Sequence, residues 1–203
     1  MHAPLEPGGY YHIYNRGINR QPIFFEPDNY RYFLDKYRQH VTPVADTFAY
    51  CLLSNHFHFL VQIKPTAVLE PLLQQKDAKK EKPLRSIHDF VSDQFSNFFN
   101  AYTKAVNKRY GRDSALFRRP FRRILITEER HLVEVVRYIH RNPEKHGIIP
   151  HFEEWEHHSY APFLNDSDTW LAKDSLLEWF CTLDNFIDFH QTPSEEDLLD
   201  FKT

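Results

Sequence analysis

Apolar and polar positions repeat in two rhythms along this chain, one of period two and one near 3.6. Residues 10–15 (Tyr10, Tyr11, His12, Ile13, Tyr14, Asn15) are β-favouring and stop at Arg16-Gly17, which predicts a strand ending in a turn. After Pro27-Asp28, a helix start signal, Tyr30, Phe33, Leu34 and Tyr37 recur at helical spacing through residue 40. Residues 46–53 and 56–63 read as two strands meeting at Ser54-Asn55, a hairpin. The charged run from Gln74 to Pro83 has no apolar periodicity and predicts a loop. A helix over 86–108 follows, with Ile87, Phe90, Val91, Phe95, Phe98, Phe99 and Tyr102 on one side. Residues 115–126 predict a strand with Phe121, Ile124 and Ile126 as its apolar members. A shorter helix spans 128–141 and ends at Asn142-Pro143, with Gly147 beyond.

The order β-α-β-β-α-β-α predicts an α+β domain of ferredoxin-like form, an antiparallel sheet with helices packed on one face. Residues 1–151 make up this body. Residues 152–203 are acidic, yet Trp155, Trp170, Leu176, Leu177, Trp179 and Phe180 make them too apolar for a disordered tail. They predict a mainly helical extension packed on the body.

Charge changes the picture once it is divided by position. The net charge of −3 is the sum of +8 over residues 1–151 and −11 over residues 152–203. A basic body points toward nucleic acid, a solvated charged surface being the plainer alternative. The densest strip holds Lys104, Lys108, Arg109, Arg112, Arg118, Arg119, Arg122 and Arg123 against Asp113 alone. Such a strip suits phosphate tracking, with Tyr110 and Phe117 placed among the cations to stack unpaired bases. No window approaches the ~20 apolar residues of a membrane span, and the N-terminus lacks a signal pattern. Cys51 and Cys181 match no zinc or redox spacing, so the expected setting is the cytoplasm.

Two pairs of residues carry candidate chemistry. His56 and His58 lie two apart in a strand, so both imidazoles leave the same face while Phe57 leaves the other. Two histidines so spaced make half a metal site, although two exposed histidines would give the same pattern. In the helix at 128–141, Tyr138 and Asn142 fall one turn apart on a flank of the Leu132, Val133, Val135, Val136 and Ile139 stripe. A nucleophile and an oxygen ligand would then stand side by side; an anchoring tyrosine and a helix-end amide are the bland equivalents.

Taken together, three separated motifs resemble the REP-associated tyrosine transposases, a branch of the single-tyrosine transposases with a His-hydrophobe-His metal site. They are His12-Ile13-Tyr14-Asn15-Arg16-Gly17, Asn55-His56-Phe57-His58, and the stretch from Tyr138-Ile139-His140-Arg141-Asn142-Pro143 to Gly147. The resemblance covers residues 10–163; the loop at 74–83 and the acidic segment beyond 165 have no counterpart in it. It implies that residues 1–151 form a catalytic domain in which Tyr138 attacks DNA. It implies further that His56, His58 and Asn142 hold a divalent metal, Mg²⁺ or Mn²⁺, and that Arg16 contacts DNA. The implied activity is a metal-dependent transposase or endonuclease that cuts and rejoins single-stranded, hairpin-containing DNA through a 5′-phosphotyrosine, as monomer or homodimer. The alternative is a binding module of the same fold that grips structured single-stranded DNA or RNA without cutting it. A zinc-water hydrolase is disfavoured, because no His-Glu pair stands at metalloprotease spacing.

Overall fold

The computed structural model describes residues 3–78, 85–165 and 169–192. Strands β1 (Tyr10–Arg16), β2 (Ala45–Leu53), β3 (His56–Ile63) and β4 (Arg122–Ile126) form one antiparallel sheet in the order β2-β3-β1-β4. Helices α1 (Pro27–His40), α2 (Thr66–Ala78), α3 (Ile87–Tyr110) and α4 (Glu129–Lys145) complete the body. This is the α+β, ferredoxin-like arrangement that the element order implies.

Alternation along β3 divides its side chains between two layers. Phe57 and Phe59 meet α1 and α3: Phe33 lies 5.2 Å from Phe57, Tyr37 stacks on Phe59 at 4.1 Å, and Phe99 lies 5.7 Å from Phe57. Helices α1 and α3 thus share one face, while α4 departs from the expectation of helices on one face only. The other face carries His56, His58 and Leu60 and is covered by α4, whose Tyr138 ring lies 5.5 Å from that of His58. Phe33 is fully buried among Phe24, Phe57, Phe98 and Tyr102. Phe33→Ala should cost about 3–5 kcal/mol through lost transfer energy and an unfilled cavity. Denaturant unfolding checks this, and a loss below about 1 kcal/mol would mean the layer collapses around the gap.

Three elements differ from the sequence expectation. Helix α2 runs through Ala78, where a loop was expected from Gln74; residues 79–84 lie outside those described. Leu69, Leu73 and Asp77 are buried one turn apart, and Asp77 is held by Arg85, Nη2 to Oδ1 2.7 Å. That ion pair turns a charged run into an anchored helix. Strand β4 begins at Arg122 rather than residue 115, since Pro120 has no N–H to give a ladder. Helix α4 continues past Pro143 to Lys145, and Gly147, at φ 63°, follows with its N–H on the Glu144 carbonyl at 2.9 Å. A proline in the last turn forfeits little hydrogen bonding, so Asn142 lies inside the helix rather than at its end.

The extension forms α5 (Tyr160–Leu164), α6 (Lys173–Glu178) and α7 (Leu183–Gln191), with residues 166–168 and 193–203 outside the described set. Trp179 stacks on Phe48 at 4.7 Å and Trp170 on Tyr50 at 5.8 Å. Helix α7 docks on α4: His140 Nδ1 lies 2.8 Å from His190 Nε2, and Arg141 donates to the His190 carbonyl at 2.9 Å. No described helix is long and apolar enough to cross a membrane.

Candidate functional site

The sheet register assembles the site. On β1, Arg16 lies opposite His56 and Tyr14 opposite His58, so these four share a face. Helix α4 crosses that face and brings Tyr138 and Asn142 down onto it. The structure therefore joins all four residues singled out for chemistry. His56 Nε2 is 3.3 Å from Asn142 Oδ1, and the Tyr138 ring packs edge-on against both His58 and His12, at 5.5 and 5.8 Å. Tyr138 is 7% exposed and Asn142 fully buried.

Hydrogen bonds fix how each imidazole points. Asn55 donates its Nδ2–H to the Arg20 carbonyl at 3.2 Å, which turns its Oδ1 toward His56 Nδ1 at 2.7 Å. His56 Nδ1 therefore carries the ring proton, and Nε2 presents a bare lone pair to Asn142 Oδ1. Two acceptors facing each other at that distance repel. A half-turn of the Asn142 amide relieves this, or a cation between them does. Two ligand atoms bound to one ion at ~2.1 Å and roughly right-angled or tetrahedral geometry stand ~3.0–3.4 Å apart, which the observed separation matches. His58 Nδ1 lies 2.9 Å from His12 Nε2, while His58 Nε2 and Asn142 Nδ2 are buried without a hydrogen-bond partner. With Nδ1–H given to His12, His58 Nε2 offers a second lone pair. Among the described residues no three His, Cys, Asp or Glu side chains form a metal cluster, so a cation here would need the Asn142 amide as a ligand.

Burial keeps these rings neutral, which is the ligand form. It pushes His12 down to about 3 and, joined by the charges of His146 and Arg16, His56 to about 4. His58 lies well below its ordinary value through burial first, then His12, His56 and His146. His12 and Asn55 are orienting residues that the sequence reading quoted within motifs but gave no role. Period two on β1 places His12 on the face of Tyr14 and Arg16, and that was the available signal.

The basic strip is spread over a pocket, an adjoining groove and the surface of α3. Arg118 and Arg122 line a pocket of about 90 Å³ with Arg16, His56 and His58. Arg119 and Arg123, with Arg118 shared between the two, line an adjoining groove along α3, where Arg119 reaches Asn100 Oδ1 at 3.4 Å. Lys104 and Lys108 are exposed on α3. Arg109 is tied to Glu26 at 2.6 Å, and Arg112 lies over the Phe25 ring at 5.8 Å. Phe117 is 5% exposed, packed against Phe57, Phe99 and Tyr102, so it is a core residue and not a stacking platform for bases. Tyr110 packs on Phe25 at 4.6 Å.

No family model matches the chain. In sequence it is 25% identical over 115 residues to a putative REP-associated tyrosine transposase of Haemophilus influenzae. The alignment covers 57% of this chain and 58% of that relative, so the chain spans less than two thirds of the relative's length. In structure it matches a REP-associated tyrosine transposase bound to a REP hairpin, with a TM-score of 0.59 at 14% identity over 81% of this chain and 84% of that one. The resemblance to the REP-associated tyrosine transposases holds. At that identity the structural match speaks for the fold alone. The site's residues rest on their own geometry.

Proposed function

We propose that this protein cleaves and rejoins single-stranded DNA through a covalent 5′-phosphotyrosine on Tyr138, beside a divalent metal held by His56, His58 and Asn142. One observation carries the reading: the Nε2 atoms of His56 and His58, the Asn142 side-chain oxygen and the Tyr138 ring gather under one helix. The transposase relative and the hairpin-bound structural neighbour are consistent with hairpin-containing DNA as substrate; a cytoplasmic setting is part of the same proposal.

Each residue would have a distinct task. When bound, Mg²⁺ or Mn²⁺ would polarise the scissile phosphate and neutralise its charge. Tyr138 would attack phosphorus, forming the Tyr–O–P bond as the P–O3′ bond breaks and the 3′ oxygen takes up a proton. A free phenol titrates near ~10, and Lys145 Nζ lies over the Tyr138 ring, 5.1 Å from its centre, a cation–π contact on the residue that must become negative. Ester energy is kept in the phosphotyrosine, so the 3′-OH can reverse the step without a nucleotide cofactor. His12 and Asn55 hold the two ligand rings by their second nitrogens.

The reading is tested with Mn²⁺ and a labelled DNA hairpin bearing single-stranded flanks. A labelled protein band on a denaturing gel, lost in excess EDTA, is expected; DNA that binds but never becomes attached would leave a binding module. His12→Ala should weaken Mn²⁺ binding by roughly 10–100-fold, read by electron paramagnetic resonance titration. Unchanged affinity in a folded variant would remove His12 from the site.

A further inference from the structure

The pocket beside the histidine pair is built without the tyrosine. Its walls include Arg16, Arg118 and Arg122 together with His56 and His58, whereas Tyr138 is not among them and lies against His12 and His58 under α4. Three chain segments supply the guanidiniums. Arg16 ends β1 opposite His56, and Arg122 opens β4 opposite Tyr14, itself opposite His58. Arg118 is fixed by its N–H to the Arg16 carbonyl and by Asn15 Nδ2 to its own carbonyl, both 3.0 Å. Arg118 and Arg122 are exposed, and neither has a carboxylate within ion-pair distance among the described residues. The three are close enough to oppose one another: burial first, then Arg118, Arg20 and Arg122, lower the Arg16 pKa. A cationic pocket of this kind suits an anion with several oxygens, and guanidinium forks match phosphate geometry.

Phosphoryl transfer supplies the polarity. The attacking and leaving oxygens lie roughly in line across phosphorus. A phosphate seated at His56 and His58 and attacked from the Tyr138 side therefore expels its 3′ oxygen toward the arginine pocket. We propose that Arg16, Arg118 and Arg122 form a phosphodiester cradle for the DNA strand that leaves, gripping the backbone phosphate immediately 5′ of the cut. The cradle holds the new 3′-OH where it can attack the phosphotyrosine again: its oxygen forms the P–O3′ bond, the Tyr–O–P bond breaks, and the phenol recovers a proton. The assignment of strand polarity rests on Tyr138 as the nucleophile; the anion site itself does not.

The test uses the full chain, Mn²⁺ and a DNA hairpin with single-stranded flanks in which one phosphate at a time is replaced by neutral methylphosphonate. Binding is measured with Tyr138→Phe, alone and combined with Arg118→Gln or Arg122→Gln. One substituted phosphate should weaken binding about tenfold in Tyr138→Phe and cost almost nothing once either arginine is gone. That phosphate should sit one nucleotide 5′ of the bond where the wild-type adduct maps. In a second readout, proteins with Tyr138 intact and Arg118→Gln or Arg122→Gln should show a ratio of rejoined DNA to adduct lowered about tenfold, because the cut strand escapes. A methylphosphonate penalty that persists in both arginine variants, or a coupled phosphate 3′ of the cut, overturns the proposal. Absence of adduct from every protein ends the transposase reading and the strand assignment with it, while the coupling scan still decides whether the cradle grips a phosphate.

Discussion

Tyr138→Phe should abolish the covalent protein–DNA species while leaving hairpin binding within about twofold of the parent. The substitution removes one oxygen from a ring that is 7% exposed and keeps the ring's packing on His12 and His58. Its cost to folding should therefore be small, and the loss should fall on chemistry. A residual hydrolysis without a protein-bound intermediate would mean that water, not the phenol, attacks. An adduct that survives in Tyr138→Phe would assign the nucleophile elsewhere and dissolve the case built on α4. Because binding is read separately, a silent protein that still grips the hairpin is distinguished from one that has unfolded.

The second large effect concerns acid. His12, His58, His140 and His190 are fully buried, and burial is the first cause holding each below the ordinary histidine value. His12 and His190 are pushed to about 3, His58 and His140 well below normal. In the unfolded chain each would take a proton near pH ~6.5, whereas the folded chain refuses it until far lower pH. The stability from neutral burial is thus complete above about pH 6.5 and is lost as pH falls toward the folded values. Each group forfeits about 1.4 kcal/mol per pH unit below that point. All four act in the same direction, and because hydrogen bonds couple them in pairs they lose their stabilising effect as two units rather than four independent groups. Metal-free protein should therefore melt at a lower temperature at pH 5.5 than at pH 7.5. A melting temperature that stays level over this range would show that these rings reach water or gain partners when charged. Hydrogen bonds tie the four into two pairs, His12 with His58 at the site and His140 with His190 between α4 and α7. Acid should consequently loosen the sheet face and the extension together.

Much of the site was legible because both of its halves are local patterns. Period two in β3 placed His56 and His58 on one face, and the helical turn placed Asn142 beside Tyr138. Neither needs knowledge of any other element. The helix boundary after residue 141 was less legible, because a proline reads the same at the end of a helix and in its last turn. Helix α2 was hidden for a different reason: Asp77 looks solvated in sequence and becomes an anchor only when Arg85 reaches it.

What the sequence determined by itself was the set of elements with strong periodicity, their α+β order, the basic body with its acidic extension, and the two residue pairs. Tertiary structure alone decided how these meet. His56 and Asn142 are 86 positions apart and His12 and His58 are 46 apart, and both contacts follow from strand order and from which face α4 covers. The run of arginines was spread over a pocket and an adjoining groove that share Arg118, and Phe117 was drawn into the core. The physical reason is common to all of these. Periodicity records which side of its own element a residue faces, whereas contact depends on the neighbour that side is given, and that neighbour is set by burying every apolar face at once.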